Sequence, residues 1–212
     1  MAIEQNTYNI GFTAGAAMLH EMHAVAAALM VCGGDWEQAK EKTFRENLME
    51  KDKLSSNQRY FALMKQRLEA LTEAELALLI DGTAAVRRLI VLLAICKAHA
   101  FIYEFISENV RECFYNQCEK VSLANFNEFF NEKRYIHPEL EAVTDQTVYK
   151  MRQVVFRMLE QLGLIESVNT GILQRPYLPE KVERVIVRDN PKWLAAFLYS
   201  NNEISNAVSL YE

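Results

Sequence analysis

Proline and glycine are scarce in this sequence of 212 residues. There are only 4 prolines, the first of them at position 138, and 7 glycines. Half of the residues are hydrophobic and 24% are charged. This composition excludes collagen-like, mucin-like and linker-dominated chains, and it favours a helix-rich globular protein.

Disulfide scaffolds, membrane spans and secretory signals also find no support in the sequence. The four cysteines show no CxxC spacing and mostly lie in apolar stretches, so we expect reduced, buried thiols. The apolar run 89–96 ends at Lys97, well short of the roughly 20 residues that a membrane span requires. Residues 1–9 contain no Lys or Arg, unlike the start of a secretory signal. We therefore predict a cytoplasmic protein that does not bind membranes.

Motifs for catalysis and for cofactor binding are lacking as well. No GxGxxG or Walker loop occurs, and no Ser or Cys stands in a recognisable nucleophile motif. His20 and His23 could hold a metal on one helix face, but nothing in the sequence completes the site, so packing histidines are favoured. The acidic residues are scattered, and paired-carboxylate hydrolysis is not indicated. We expect no enzymatic activity, no cofactor and no metal.

The net charge of −5 conceals two basic segments. Residues 1–39 contain no Lys or Arg, whereas residues 40–67 contain eight basic residues against four acidic ones. A second basic segment has Lys150, Arg152 and Arg157 against Glu160 alone. Because local charge determines a nucleic-acid-binding face, the acidic total does not exclude one.

Apolar spacing and capping residues predict helices along the whole N-terminal part. The 55–71 helix, for example, has Phe61, Met64 and Leu68 at the spacing of a buried stripe. The predicted helices run from a cap at Thr13 to about 32, then over 36–48, 55–71, 73–81 and 84–115, the last broken near Ser107.

The C-terminal third predicts a second helix-turn-helix followed by a hairpin. A helix capped by Ser122 ends before Pro138, and a strong helix spans 145–162. Short apolar pieces at 164–165 and 171–173 predict a β-hairpin wing, and two closing helices follow. The predicted fold is therefore all-α, a compact helical bundle with two helix-turn-helix elements, the second winged-helix-like with a short β-hairpin. We predict one globular unit with three regions. Region 1–120 contains the first helix-turn-helix at 35–71, region 121–199 is winged-helix-like, and residues 200–212 form a tail.

Two helix faces are candidates for binding nucleic acid. On the 145–162 helix, Gln146, Lys150, Gln153 and Arg157 lie opposite the apolar face. Arg and Lys can neutralise phosphates, and Gln can bond to adenine in the major groove. An ordinary solvated helix face stays a fair alternative. The second candidate face combines the 55–71 helix with the turn before it and contains Lys51, Lys53, Arg59, Lys65 and Gln66.

Several stretches, taken in order, resemble one known family. They are FTAGA at 12–16, GGDW at 33–36, ENL at 46–48, LLAICK at 92–97, HPEL at 137–140 and RQVVFRML at 152–159. Their order and spacing are similar to those of the BrxA family of bacteriophage exclusion (BREX) defence systems, over nearly the whole chain.

The resemblance implies a small, mainly helical, non-enzymatic protein that binds double-stranded DNA. It implies DNA contacts at Lys51, Lys53, Arg59 and Lys65, and at Lys150, Arg152, Gln153 and Arg157. Other BREX components, such as a methyltransferase, an ATPase and a phosphatase-like protein, are the implied partners. Two alternatives stay open, namely a protein–protein adaptor and an RNA-binding helical protein of the antitermination-factor type.

Overall fold

The structure, a computed structural model, describes residues 7–50 and 54–211, and for residues 54–56 it describes the backbone alone. Within these ranges the chain is mostly helical, which confirms the all-α prediction. Two 3-10 helices, Ile10–Ala14 and Pro191–Phe197, and a π-helical turn, Phe105–Val110, accompany the α-helices. The α-helices are α1 Leu19–Val31, α2 Trp36–Arg45, α3 Leu54–Glu69, α4 Glu73–Asp81, α5 Ala84–Ala98, α6 Ala100–Glu104, α7 Arg111–Tyr115, α8 Leu123–Ile136, α9 Pro138–Glu141, α10 Asp145–Leu162, α11 Glu180–Asp189 and α12 Asn201–Tyr211.

Helix α5 runs through the centre of the core. All its residues from 89 to 96 are buried, and α1, α3, α4 and α10 pack around it. Among the described residues, no single helix is long and apolar enough to cross a membrane. In the same part of the chain, one pair of helical stretches, α5 and 100–115, meets the length and composition together, and this pair is bent by 114°.

The bend lies at His99, which corrects the predicted break near Ser107. His99 has an extended backbone, with φ −132° and ψ 91°, and its carbonyl accepts the first hydrogen bonds of α6 from Ile102 and Tyr103. Ser107 lies inside the π-helical turn, through which the chain continues to α7 without a bend residue. No proline or glycine marks position 99, so the sequence contains no local signal for the bend.

The N-terminal helix also begins later than predicted. A 3-10 helix occupies Ile10–Ala14, and α1 starts only at Leu19, after Met18 with a left-handed φ of 54°. The cause is Arg67 of α3, whose buried guanidinium donates hydrogen bonds to the carbonyls of residues 15, 16 and 17. Because these carbonyls are held by a side chain from another helix, they do not continue into α1.

Helices α8 to α10 follow the predicted order, and α10 begins and ends at the predicted residues. The Thr144 side chain caps its first turn, and Gly163 closes it with a left-handed φ of 79°. The segment predicted as a hairpin pairs through isolated antiparallel bridges, Ile165 with Leu173 and Lys120 with Ile172. Residues 119–121 thus join residues 164–166 and 171–174 in this region, and that third partner was not predicted.

The last third of the chain folds back onto this framework. Helix α11, the 3-10 helix Pro191–Phe197 and α12 pack together. The second of the two predicted closing helices is this 3-10 helix rather than an α-helix. Residues 201–211, predicted as a tail, form α12 with Ala207 buried.

The expectation of buried thiols is wrong for Cys118, which is exposed, and is met fully only by Cys96 among the described residues.

Candidate nucleic-acid interface

The 3-10 helix Ile10–Ala14 lies between α3 and α10 and contacts both. Beside it is an open groove of about 330 Å³, which we call the α3–α10 groove. Arg59 and Gln66 of α3 and Lys150 of α10 line it, together with residues 9–14. The structure therefore brings members of both predicted basic segments around one concave surface.

Among the described residues that line the α3–α10 groove, two are cations, Arg59 and Lys150, and none is a carboxylate. Both cations are exposed, and neither forms an ion pair within residues 7–50 and 54–211. Two free cations on a concave surface form a site suited to phosphate oxygens.

The other predicted residues of α3 are partly engaged. The Gln66 amide donates to the Ala98 carbonyl over 3.4 Å, which orients this lining side chain. Lys65 lies 3.7 Å from the Glu69 carboxylate and 5.3 Å from the centre of the Trp36 ring. Lys65 is therefore a weaker candidate for a phosphate contact than Arg59. Lys51 and Lys53 lie outside the described residues.

On α10, Gln146, Lys150, Gln153 and Arg157 are all exposed, as the helical wheel predicts. Arg157 is 3.3 Å from Glu160, an exposed pair that water and salt weaken readily.

A residue that the sequence analysis missed organises the middle of this face. The ring of Tyr149 is 53% exposed, and its hydroxyl accepts a hydrogen bond of 3.1 Å from the Gln153 amide. Arg152 lies 5.3 Å from the ring centre and donates to Asn127 of α8 over 3.1 Å. The spacing of residues 149, 152 and 153 on one helix is the signal that could have identified this cluster.

Arg67 supports the wall of the groove from inside the protein. It is fully buried on α3, and burial lowers its pKa to about 9, so it stays charged at neutral pH. Its three carbonyl partners follow directly after the 3-10 helix. Burial and the nearby Arg67 charge lower the pKa of His99 to about 3, so this imidazole is neutral. Arg67 was counted in the basic segment by sequence, but it does not reach the surface.

Another open cavity, of about 560 Å³, lies at the C-terminal end of α10, and none of the predicted site residues is among its described lining. Arg88, Arg175 and Tyr177 line it above an apolar floor. Arg175 is neutralised by Glu203 at 2.8 Å, so this cavity has less free charge than its composition suggests.

The histidines considered as metal ligands have other partners. His23 is 3.3 Å from the Ile80 carbonyl, and His20 is 3.6 Å from Glu50. In the part of the chain that the structure describes, no three His, Cys, Asp or Glu residues come close enough to hold a metal ion.

These features define a mainly helical protein with a basic groove between two helices, and comparisons with known proteins place it further. A solved structure, the crystal structure of an uncharacterized protein from Magnetospirillum magneticum, has the same fold, with a TM-score of 0.80 and 21% identity. That similarity covers 91% of this chain and 98% of the other.

The family comparison is more specific. The BrxA family model matches residues 6–190, so the chain belongs to the BrxA family. Among its relatives, the BREX protein BrxA of Escherichia coli O9:H4 (strain HS) is 24% identical over 84% of both chains. The BREX protein BrxA of Bacillus cereus (strain H3081.97) is 27% identical, over 66% of this chain and 71% of its own.

Proposed function

We propose that this protein binds double-stranded DNA through the α3–α10 groove and the exposed face of α10, and that it catalyses no reaction on the DNA. The observation that carries the proposal is the meeting of Arg59, Gln66 and Lys150 around one groove. These residues come from two basic segments that are far apart in the sequence.

Phosphate contacts account for the first part of the proposed interaction. Arg59 and Lys150 have no carboxylate partner among residues 7–50 and 54–211, so a phosphate that binds them displaces no ion pair in this part of the chain. Such contacts supply most of the affinity of nonspecific DNA binding and depend steeply on salt. We therefore expect binding with little sequence preference.

The face of α10 accounts for the preference for a duplex. A helix of this length fits the major groove of B-DNA, and a segment that pairs through isolated bridges follows it in sequence, which supports a winged-helix-like mode of docking. Gln146 and Gln153 are positioned on the exposed face to reach base edges or phosphates. RNA duplexes have a deep and narrow major groove that a helix does not enter, which favours DNA.

Membership of the BrxA family gives the biological setting. The relatives carry the name BREX protein BrxA, and we propose that this chain likewise serves in a BREX phage-defence system. Its protein partners would then be other BREX components, including the methyltransferase, the ATPase and the phosphatase-like protein.

The test is a binding titration by fluorescence anisotropy with duplexes of several sequences, a single strand and an RNA duplex. The variant Arg59→Gln with Lys150→Gln removes both free cations of the groove. Lys181→Gln with Arg188→Gln is the matched control, because it removes two exposed cations from α11, which lie away from the groove.

We expect the groove variant to bind every duplex about tenfold or more weakly, because a charge-assisted contact contributes about 1.5–3 kcal/mol. The control should bind within about twofold of the unaltered protein. Equal weakening in the two variants would contradict a localised site. Undetectable duplex binding would favour the adaptor alternative, and tighter binding to RNA would favour the antitermination-like one.

A further inference from the structure

The turn after α7 places two cysteines side by side. The Cys118 N–H donates to the Cys113 carbonyl over 2.9 Å, and the Gln117 N–H donates to the Phe114 carbonyl. Gln117 has a left-handed φ of 58°. These two bonds and this dihedral define a Schellman motif, in which the side chains of the two outer residues normally touch.

In most helices this contact joins two apolar side chains, but here it joins two thiols. Burial, followed by the neighbouring Cys118 thiol, raises the pKa of Cys113 to about 11. Cys118 is exposed to solvent, whereas Cys113 is half-buried. The backbone bond of 2.9 Å between the two residues also brings their Cα atoms within the about 7 Å that a disulfide allows.

We propose that Cys113 and Cys118 form a reversible intramolecular disulfide when the protein meets a peroxide. The exposed Cys118 thiolate attacks one peroxide oxygen, the O–O bond breaks, and a sulfenic acid forms at Cys118 while the other oxygen leaves as water after taking up a proton. The Cys113 sulfur then attacks the Cys118 sulfur. The S–O bond breaks, and the leaving hydroxide takes the Cys113 proton to give a second water. Two thiols and one peroxide thus yield one disulfide and two waters.

The surroundings hold the pair in place from both sides. The Tyr115 hydroxyl lies 2.8 Å from the Leu198 carbonyl and 2.7 Å from the Glu203 carboxylate, both acceptors for its proton, which anchors the end of α7 to the start of the last helical region. After Cys118, the Glu119 carbonyl accepts from Leu173 and the Val121 N–H donates to Gly171. The disulfide would therefore close within a preformed turn, next to the residues that pair with the segment after α10.

A single tryptic peptide reports on this site. Cleavage after Arg111 and Lys120 releases residues 112–120, ECFYNQCEK, which contain both cysteines. The folded protein is treated with hydrogen peroxide, denatured, alkylated and digested. We expect this peptide to be about 2 Da lighter than its reduced form and to carry no alkyl group, and a dithiol reductant should restore both alkylation sites.

Variants and a denatured sample make the result specific. Cys118→Ser should abolish the mass loss, whereas Cys32→Ser should retain it. The reaction should also be at least about tenfold faster in folded protein than in urea, because only the fold brings the thiols together. Double alkylation of the peptide after peroxide, sulfinic acid at Cys118 beside an alkylated Cys113, or equal rates in urea would each overturn the proposal. None of these results depends on DNA binding.

Discussion

Lys97 is the centre of a buried ion-pair network that joins three helices. Its ammonium group lies 2.6 Å from Glu75 of α4 and 2.8 Å from Asp189 of α11. The side chain of Glu75 is 0% exposed and that of Lys97 is 6% exposed. Glu75 also accepts a hydrogen bond from the Thr72 N–H and thereby completes the capping box of α4. Replacing Lys97 by Met keeps an unbranched side chain one atom shorter and removes its charge.

We expect Lys97→Met to lower the free energy of unfolding by about 3–5 kcal/mol, the cost of leaving a buried charge without its partner. Asp189 contributes less to this loss because water reaches it. If Glu75→Gln is added, the buried charge disappears while the amide oxygen still accepts from Thr72. The double variant should therefore be more stable than Lys97→Met alone, with a coupling energy of about 2 kcal/mol.

Urea unfolding followed by circular dichroism at one pH measures Lys97→Met, Glu75→Gln and the double variant. Lys42→Met is the matched control, because Lys42 forms a comparable pair with Glu46 at 2.9 Å on the exposed face of α2. The control should change stability by no more than about 0.5 kcal/mol. If Lys97→Met were as mild as Lys42→Met, or if the double variant were the least stable of all, the reasoning from burial would be refuted.

Four further outcomes are expected. The slope of log duplex affinity against log salt concentration should be shallower by about 1.8 in the variant Arg59→Gln with Lys150→Gln. This is about 0.9 for each of the two phosphates that the variant no longer neutralises. An unchanged slope would contradict phosphate binding by these two cations. Gly163→Ala should lower the free energy of unfolding by about 1–2 kcal/mol, because its φ is left-handed, whereas the added Cβ would make only an ordinary van der Waals contact, 3.6 Å from the Arg88 side chain. Chemical denaturation measures this. Burial opposes ionisation of Glu203, but hydrogen bonds from Tyr115, Ser200 and Arg175 lower its pKa to about 2. The ionised Glu203 carboxylate therefore stabilises the fold above its ordinary pKa of 4.5, and this stabilisation is lost as the pH falls from 4.5 to about 2. The difference in stability between the unaltered protein and Glu203→Gln should shrink over that pH range. Dialysis against a chelator should leave the thermal unfolding midpoint unchanged, and stoichiometric zinc retained afterwards would contradict a metal-free fold.

The sequence predicted those helix ends that depend on neighbouring residues. Thr144 and Gly163 bound α10 because a hydroxyl cap and a left-handed glycine act within one turn of the residues that they cap. The start of α1 was not predictable in this way. It depends on Arg67, which lies about fifty residues further along the chain and holds carbonyls that an isolated segment would use within a helix. The bend at His99 is likewise set by packing rather than by a local signal.

The candidate interface was predictable as two separate faces but not as one surface. Periodicity correctly left Arg59 and Lys150 outside the core, because both helices are amphipathic. It could not show that the two residues line the same groove, since that depends on the 3-10 helix Ile10–Ala14 lying between α3 and α10. Charge counting also included Arg67 in the basic segment 40–67, because a count does not distinguish an exposed guanidinium from a buried one.

The 3-10 helix at the groove is fixed at both ends, and this determines what kind of site the groove can be. Before it, the Tyr8 N–H donates to Glu139 over 2.6 Å, and the Tyr8 ring stacks on His137 with 3.8 Å between ring centres. After it, Arg67 holds the following carbonyls. A segment anchored on both sides loses little conformational entropy when a ligand binds beside it. The groove between Arg59 and Lys150 is therefore preformed, and an anionic backbone that contacts both cations would not have to order the protein first.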